Sequence, residues 1–205
     1  MARITDYQTL KDAINAVVDN DSAPMQAYID VCIQSVEKRI DYLLRTEHQE
    51  ETWDTVINTE YTDLPDGFLG FRRIIIERGG VEFALQVEST DTITARNFEA
   101  AGTPAYYAIV NNQIQVYPSP DTDYTIKAVY WKEVTPLDDI NTTNWLVTRF
   151  PMVYLHGALA KAHLFLMDQN QANVDEQLFM SGVSGINDDS KQKLWRGSPL
   201  TSRIR

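Results

Sequence analysis

Three histidines, one cysteine and a dense run of acids are the residues from which chemistry could be built in this chain of 205 residues. His156 and His163 are seven positions apart, a spacing that brings both to one face of a helix. Two imidazoles do not complete a metal site. A third ligand is required, and catalytic zinc helices place their ligands closer together, as in HExxH. The pair therefore reads as ordinary buried or half-buried histidines. Between Asp41 and Asp66 the acids Asp41, Glu47, Glu50, Glu51, Asp54, Glu60, Asp63 and Asp66 face a single base, Arg45. A carboxylate pair for hydrolysis could lie among them, but acids at this density on helix ends and loops ordinarily form a solvated surface. Cys32 lies on an apolar helical stripe and reads as a small core residue. Alone it supports neither a disulfide framework nor a thiolate cage.

No phosphate-cradling GxxxxGK[ST], dinucleotide GxGxxG or nucleophile-elbow GxSxG is present. The sequence therefore assigns no catalytic, metal or cofactor-binding residue, and the expectation is a protein that is not an enzyme and needs no cofactor.

The elements around these residues are clearer than the chemistry. Thr5-Asp6 caps a short helix carrying Tyr7, Leu10, Ile14 and Val17 near a 3.6-residue period. Ser22 and Pro24 start a longer one with Met25, Tyr28, Cys32, Val36, Ile40 and Leu43 inward, and Asp30, Gln34, Glu37, Lys38 and Asp41 outward. From Glu50 the pattern turns extended. Gly79-Gly80 and Asn111-Asn112 each separate two strand-like runs, which predicts two hairpins. Tyr124 to Trp131 alternates long enough to be a strand. Helical spacing returns after Thr142-Thr143-Asn144, with Pro151 marking a kink or a first turn. A weaker helix carrying Val174, Leu178 and Val183 follows, with Gly182 and Gly185 against its far end. Tyr106, Tyr107, Tyr117, Tyr124, Tyr130 and Trp131 crowd the extended region. They serve either a thin domain's core or an interface.

The fold class expected is α+β. A helical bundle formed by N- and C-terminal helices (1–50 and 138–190) carries an inserted small antiparallel β-domain (51–137), and an extended basic arm (191–205) ends the chain.

Composition limits the partners. With a net charge of −11 the chain is not a general nucleic-acid binder, which needs clustered Lys and Arg. Its most apolar stretch, 150–167, is broken by Pro151, His156, Lys161 and His163, so no membrane span is expected. Met1 to Ile4 shows no basic start leading into an apolar run, and no secretory signal is expected. After Ser190 the charge reverses. Lys191, Lys193, Arg196, Arg203 and Arg205 are interleaved with Leu194, Trp195, Leu200 and Ile204. These nine residues are the candidate partner-binding set, Trp195 being the principal anchor of an arm disordered until bound. A frayed terminus without a role is the alternative.

Several stretches, in order, resemble the head-to-tail adaptor (connector, neck) proteins of tailed bacteriophages. The opening Tyr7-Gln8-Thr9-Leu10-Lys11-Asp12-Ala13-Ile14 and the helix ending in Leu43-Leu44-Arg45-Thr46 are similar to the family's N-terminal helices. Leu64-Pro65-Asp66-Gly67-Phe68, Gly102-Thr103-Pro104 and Tyr117-Pro118-Ser119-Pro120 are similar to the breaks of its β-domain. Thr142-Thr143-Asn144-Trp145-Leu146, Phe150-Pro151 and Tyr154-Leu155-His156-Gly157-Ala158-Leu159 are similar to its later helices. The resemblance implies a structural virion protein at the head–tail junction, assembled in the host cytoplasm. It implies a homododecameric ring below the portal protein, receiving a tail or nozzle protein and letting genomic DNA pass without sequence-specific binding. Two alternatives stay open: another tail-completion or baseplate protein, and a hydrolase using the acidic cluster.

Overall fold

The computed structural model describes residues 3–20, 22–95 and 101–196. In chain order these form α1 (Tyr7–Val18), α2 (Ala23–Leu43), a single 3-10 turn (Glu47–Gln49), β1 (Glu50–Ile57), β2 (Tyr61–Asp63) and β3 (Phe68–Arg78). Next come β4 (Val81–Ala84), β5 (Gln86–Val87), α3 (Thr90–Ala95), β6 (Tyr106–Val110), β7 (Gln113–Tyr117) and β8 (Tyr124–Lys132). The chain closes with α4 (Trp145–Arg149), α5 (Pro151–Phe165) and α6 (Gln169–Arg196). It divides into two compact units, one of residues 1–48 with 134–205 and one of residues 49–133. The class is α+β, as expected.

In the helical unit, local chemistry sets the helix ends. Asp6 caps α1 by accepting from the Thr9 amide at 2.9 Å, and Thr9 Oγ1 accepts from the Asp6 amide at 3.0 Å. Such a reciprocal box satisfies two donors that a helix start would otherwise leave open. Pro24 occupies the first turn of α2, and Pro151 that of α5, where a missing N–H costs nothing. Asn144 caps α4 through the Val147 amide at 2.9 Å. Helix α5 packs against α1, α2 and α6. Its small residues permit this, and Gly157 is the tightest: a Cβ there would lie 2.7 Å from Val36 Cγ2 and 2.8 Å from Phe179 Cδ2. The core runs from Leu10 and Ile14 through Ile29, Ile33, Val36 and Ile40 to Tyr154, Phe179 and Val183.

Two expectations change here. Glu37 and Asp41, placed outward from the pattern of α2, are buried. The apolar arc of α2 is wider than one stripe because the segment after residue 133 lies along it, and both acids receive backbone amides from that segment. Helix α6 is the longest element, not a weak one, and it continues through Lys191 to Arg196, so those six residues are helical rather than extended. Its inward positions are Ala172, Asp175, Phe179, Val183, Ile186 and Ser190, while Val174 and Leu178 are exposed. A Cβ at Gly182 would lie 2.7 Å from Val153 Cγ2, so this glycine admits a neighbouring helix.

The β-unit holds two four-stranded sheets, ordered β1-β8-β3-β4 and β2-β7-β6-β5. All pairs are antiparallel except β5 with β6. Both expected hairpins form. Gly79 and Gly80 (φ 58° and 82°) and Asn111 and Asn112 (φ 49° and 61°) adopt the left-handed conformations that a two-residue hairpin turn needs. β8 alternates buried and half-buried residues and joins β1 to β3. Between the sheets lie Ile57, Leu64, Ile74, Ile76, Ile114, Val116, Tyr124 and Ile126.

Candidate assembly surfaces

The six rings Tyr106, Tyr107, Tyr117, Tyr124, Tyr130 and Trp131 serve chiefly as core. Tyr124 and Tyr130 are buried, and the other four are half-buried. Phe71 connects the cluster, with ring centres 4.6 Å from Phe68, 5.6 Å from Tyr107 and 6.1 Å from Trp53. The hydroxyls of the two buried tyrosines are satisfied, as burial demands. The Tyr124 hydroxyl donates to Asp121 at 2.7 Å, and that of Tyr130 donates to Glu51 at 2.9 Å. Burial, followed by the Glu51 carboxylate, pushes the Tyr130 hydroxyl up to about 12. The β-unit is anionic. Residues 49–133 carry 14 Asp and Glu against 6 Lys and Arg, so this unit holds −8 of the chain's −11.

In the helical unit the polar groups fasten elements together. The Glu37 carboxylate accepts from the Leu137 amide at 2.7 Å and from the Tyr154 hydroxyl at 2.9 Å. Asp41 accepts from the Val134 amide at 2.7 Å. Asn144 donates to Tyr154 and to the Thr135 carbonyl, both at 2.8 Å. The segment 134–144 is thereby tied to α2 and α5. Burial raises Glu37 above the usual carboxylate range, against the lowering effect of its two donors, and the Asp41 charge adds to the rise.

His156 and His163 do come together, on the buried carboxylate of Asp175, with Nδ1 to oxygen distances of 3.0 and 2.9 Å. One carboxylate thus orients two imidazoles between α5 and α6. Among the described residues no group of three or more His, Cys, Asp or Glu is arranged to hold a metal. Burial pushes the Cys32 thiol up to about 12, which leaves essentially no nucleophilic thiolate at neutral pH. No described helix is long and apolar enough to cross a membrane.

Of the nine candidate partner-binding residues, Lys191, Lys193, Leu194, Trp195 and Arg196 lie on the last turns of α6. Leu200, Arg203, Ile204 and Arg205 lie outside the described residues. Lys193 is already engaged, 2.8 Å from Glu47 and 2.6 Å from Asp189, and Ser190 donates to Glu47 at 2.7 Å. Burial alone would raise Glu47, but Lys193 and Ser190 outweigh it and hold the carboxyl at about 2. Sequence reasoning missed this clamp, along with Glu37, Asp41 and Asp175. The one available signal for the α2 pair was the four-residue spacing of its acids beside the buried Val36 and Ile40.

A family model, that of the SU10 adaptor protein, matches residues 5–203. The chain belongs to the SU10 adaptor protein family. Among curated proteins none matches it. The match spans both helical segments and the β-unit between them, in the order expected of a phage head-to-tail adaptor. An SU10 adaptor is a structural protein of a phage.

Proposed function

We propose that this SU10 adaptor is a subunit of a homododecameric ring at the head–tail junction, bound to the portal protein on one side and to a tail or nozzle protein on the other. The observation that carries this is the family match over residues 5–203, which takes in every described element. A closed ring requires two unlike, complementary surfaces on each subunit. A helical unit of net charge −3 and a β-unit of −8 supply surfaces of different character. The anionic β-unit faces the channel, where like charge keeps passing DNA from adhering. The C-terminal residues Lys191, Lys193, Leu194, Trp195, Arg196, Leu200, Arg203, Ile204 and Arg205 bind the portal or an adjacent subunit. Trp195 supplies the main apolar anchor there, and the cations steer the encounter.

Electron microscopy of virus particles, with the chain located by a bound antibody fragment, tests the proposal. The expected result is a belt of copies where the tail leaves the head. Density at the far end of the tail would instead make this a baseplate protein.

A further inference from the structure

We propose that the sheet β1-β8-β3-β4 continues from one copy of this chain into the next, the free edge of β4 pairing antiparallel with the free edge of β1 of a second copy. This rests on the ring proposed above and specifies how neighbouring subunits meet.

Both edges are open among the described residues. β4 has β3 on one side and no strand on the other, and β1 has only β8. All four residues of β4 are exposed, Val81 and Phe83 at 54% and 39%. The two-residue turn at Gly79-Gly80 makes Arg78 and Val81 a hydrogen-bonded pair, and the bonding alternates from there. Glu82 and Ala84 therefore turn their N–H and C=O groups away from β3, toward the open side. β1 is eight residues long, paired with β8 in unbroken register, and contains no proline, glycine or lysine. Natural sheets usually blunt such edges with lysine, proline, a bulge or very short strands. The second sheet does so by length, since its edge strands β2 and β5 have three and two residues. The two edges of the first sheet lack proline and lysine alike.

Two features point to a second copy as the occupant. First, the four strands alternate in direction, so β1 and β4 run opposite ways. A copy related by rotation about an axis along the strands presents β1 to β4 in antiparallel sense and leaves its own β4 free for the next. That is a head-to-tail contact of the kind that closes rings. Second, the faces match. Phe83 stands opposite Ile76 on the core side of the sheet, and Thr55 stands opposite Ile126 on that same side. An added β1 would lay Trp53 and Thr55, both half-buried, against Val81 and Phe83.

The test uses full-length chain mixed with the portal protein of the same virus, read by native mass and by amide hydrogen exchange. Glu82→Pro removes an outward donor and no bond to β3, and edge strands tolerate proline there. Phe83→Lys, a second variant, sets a cation where the neighbour's Trp53 would pack. Unmodified chain is expected to load several copies per portal assembly, with new amide protection at β1 and at Glu82 and Ala84. Both variants should keep native circular dichroism and lose that multiple loading and protection. Variants that load as fully as unmodified chain would overturn edge pairing and leave the ring standing. If unmodified chain never loads in multiple copies, ring and edge pairing fall together. Protection of β4 in a complex holding one copy of this chain would assign the edge to a different protein and overturn the proposal.

Discussion

Replacing Glu37 by alanine should destabilise the helical unit by about 3 kcal/mol, because it strands two buried donors at once. The Leu137 amide and the Tyr154 hydroxyl both end on Glu37 Oε1, at 2.7 and 2.9 Å. Tyr154 is fully buried, so water cannot replace the lost acceptor for its hydroxyl. Each buried donor left without a partner costs roughly 1–3 kcal/mol, and removing a desolvated carboxylate returns part of the sum. Glu37→Gln keeps an acceptor oxygen at the same place and should cost less than about 1 kcal/mol. The two variants also differ from the parent in pH dependence. Burial raises the folded-state pKa of Glu37 above its ordinary 4.5, so its contribution is fully present below that value. It is lost as pH rises through the raised folded value, and Glu37→Gln should lack this decline. Urea unfolding followed by helical circular dichroism, at several pH values, measures both effects. An alanine variant within about 0.5 kcal/mol of the parent would refute the inference that these donors depend on Glu37.

Four further outcomes are expected. Glu47, held at about 2 by Lys193 and Ser190 against the effect of burial, adds stability that is present above pH 4.5 and lost as pH falls toward 2. Glu47→Gln should therefore flatten the acid limb of a melting profile and, the pair being partly solvent-screened, cost about 1 kcal/mol at neutral pH. Gly157→Ala should cost roughly 1–3 kcal/mol in denaturant melts, since the new Cβ overlaps Val36 and Phe179 in a packed core. Deleting residues 197–205 should weaken portal binding in a pull-down, whereas deletion from Lys191, which removes the Trp195 anchor, should abolish it and also lower stability because Glu47 loses Lys193. Chelation should not shift the melting temperature. A fall of several degrees would turn His156, Asp175 and His163 from a hydrogen-bonded cluster into part of a metal site.

Local signals were the legible ones. Gly79-Gly80 and Asn111-Asn112 marked both hairpins, because few residues tolerate positive φ in a two-residue turn. The alternation of Tyr124 to Trp131 marked β8, and Asp6 marked the start of α1. What a single helix cannot reveal is who stands beside it. Glu37 and Asp41 looked solvent-facing until the amides of Leu137 and Val134, about a hundred residues away in sequence, supplied their partners. The face of α6 was obscured in the same way, since Asp175 and Ser190 fill inward positions that their hydrogen bonds to other elements make tolerable. Gly182, read as a weak point of that helix, instead allows the close approach of Val153. The open edges of the first sheet were least legible, because sheet edges are defined by which strand pairs with which.

The mass of the purified chain with and without its portal protein tests the central claim most directly. With a net charge of −11, copies repel one another in solution, so the chain alone should sediment as a monomer or weak oligomer. On the portal it should add mass in a fixed multiple of 23.4 kDa, consistent with a closed ring. A portal whose mass is unchanged by excess chain would contradict the assignment of this protein to the head–tail junction.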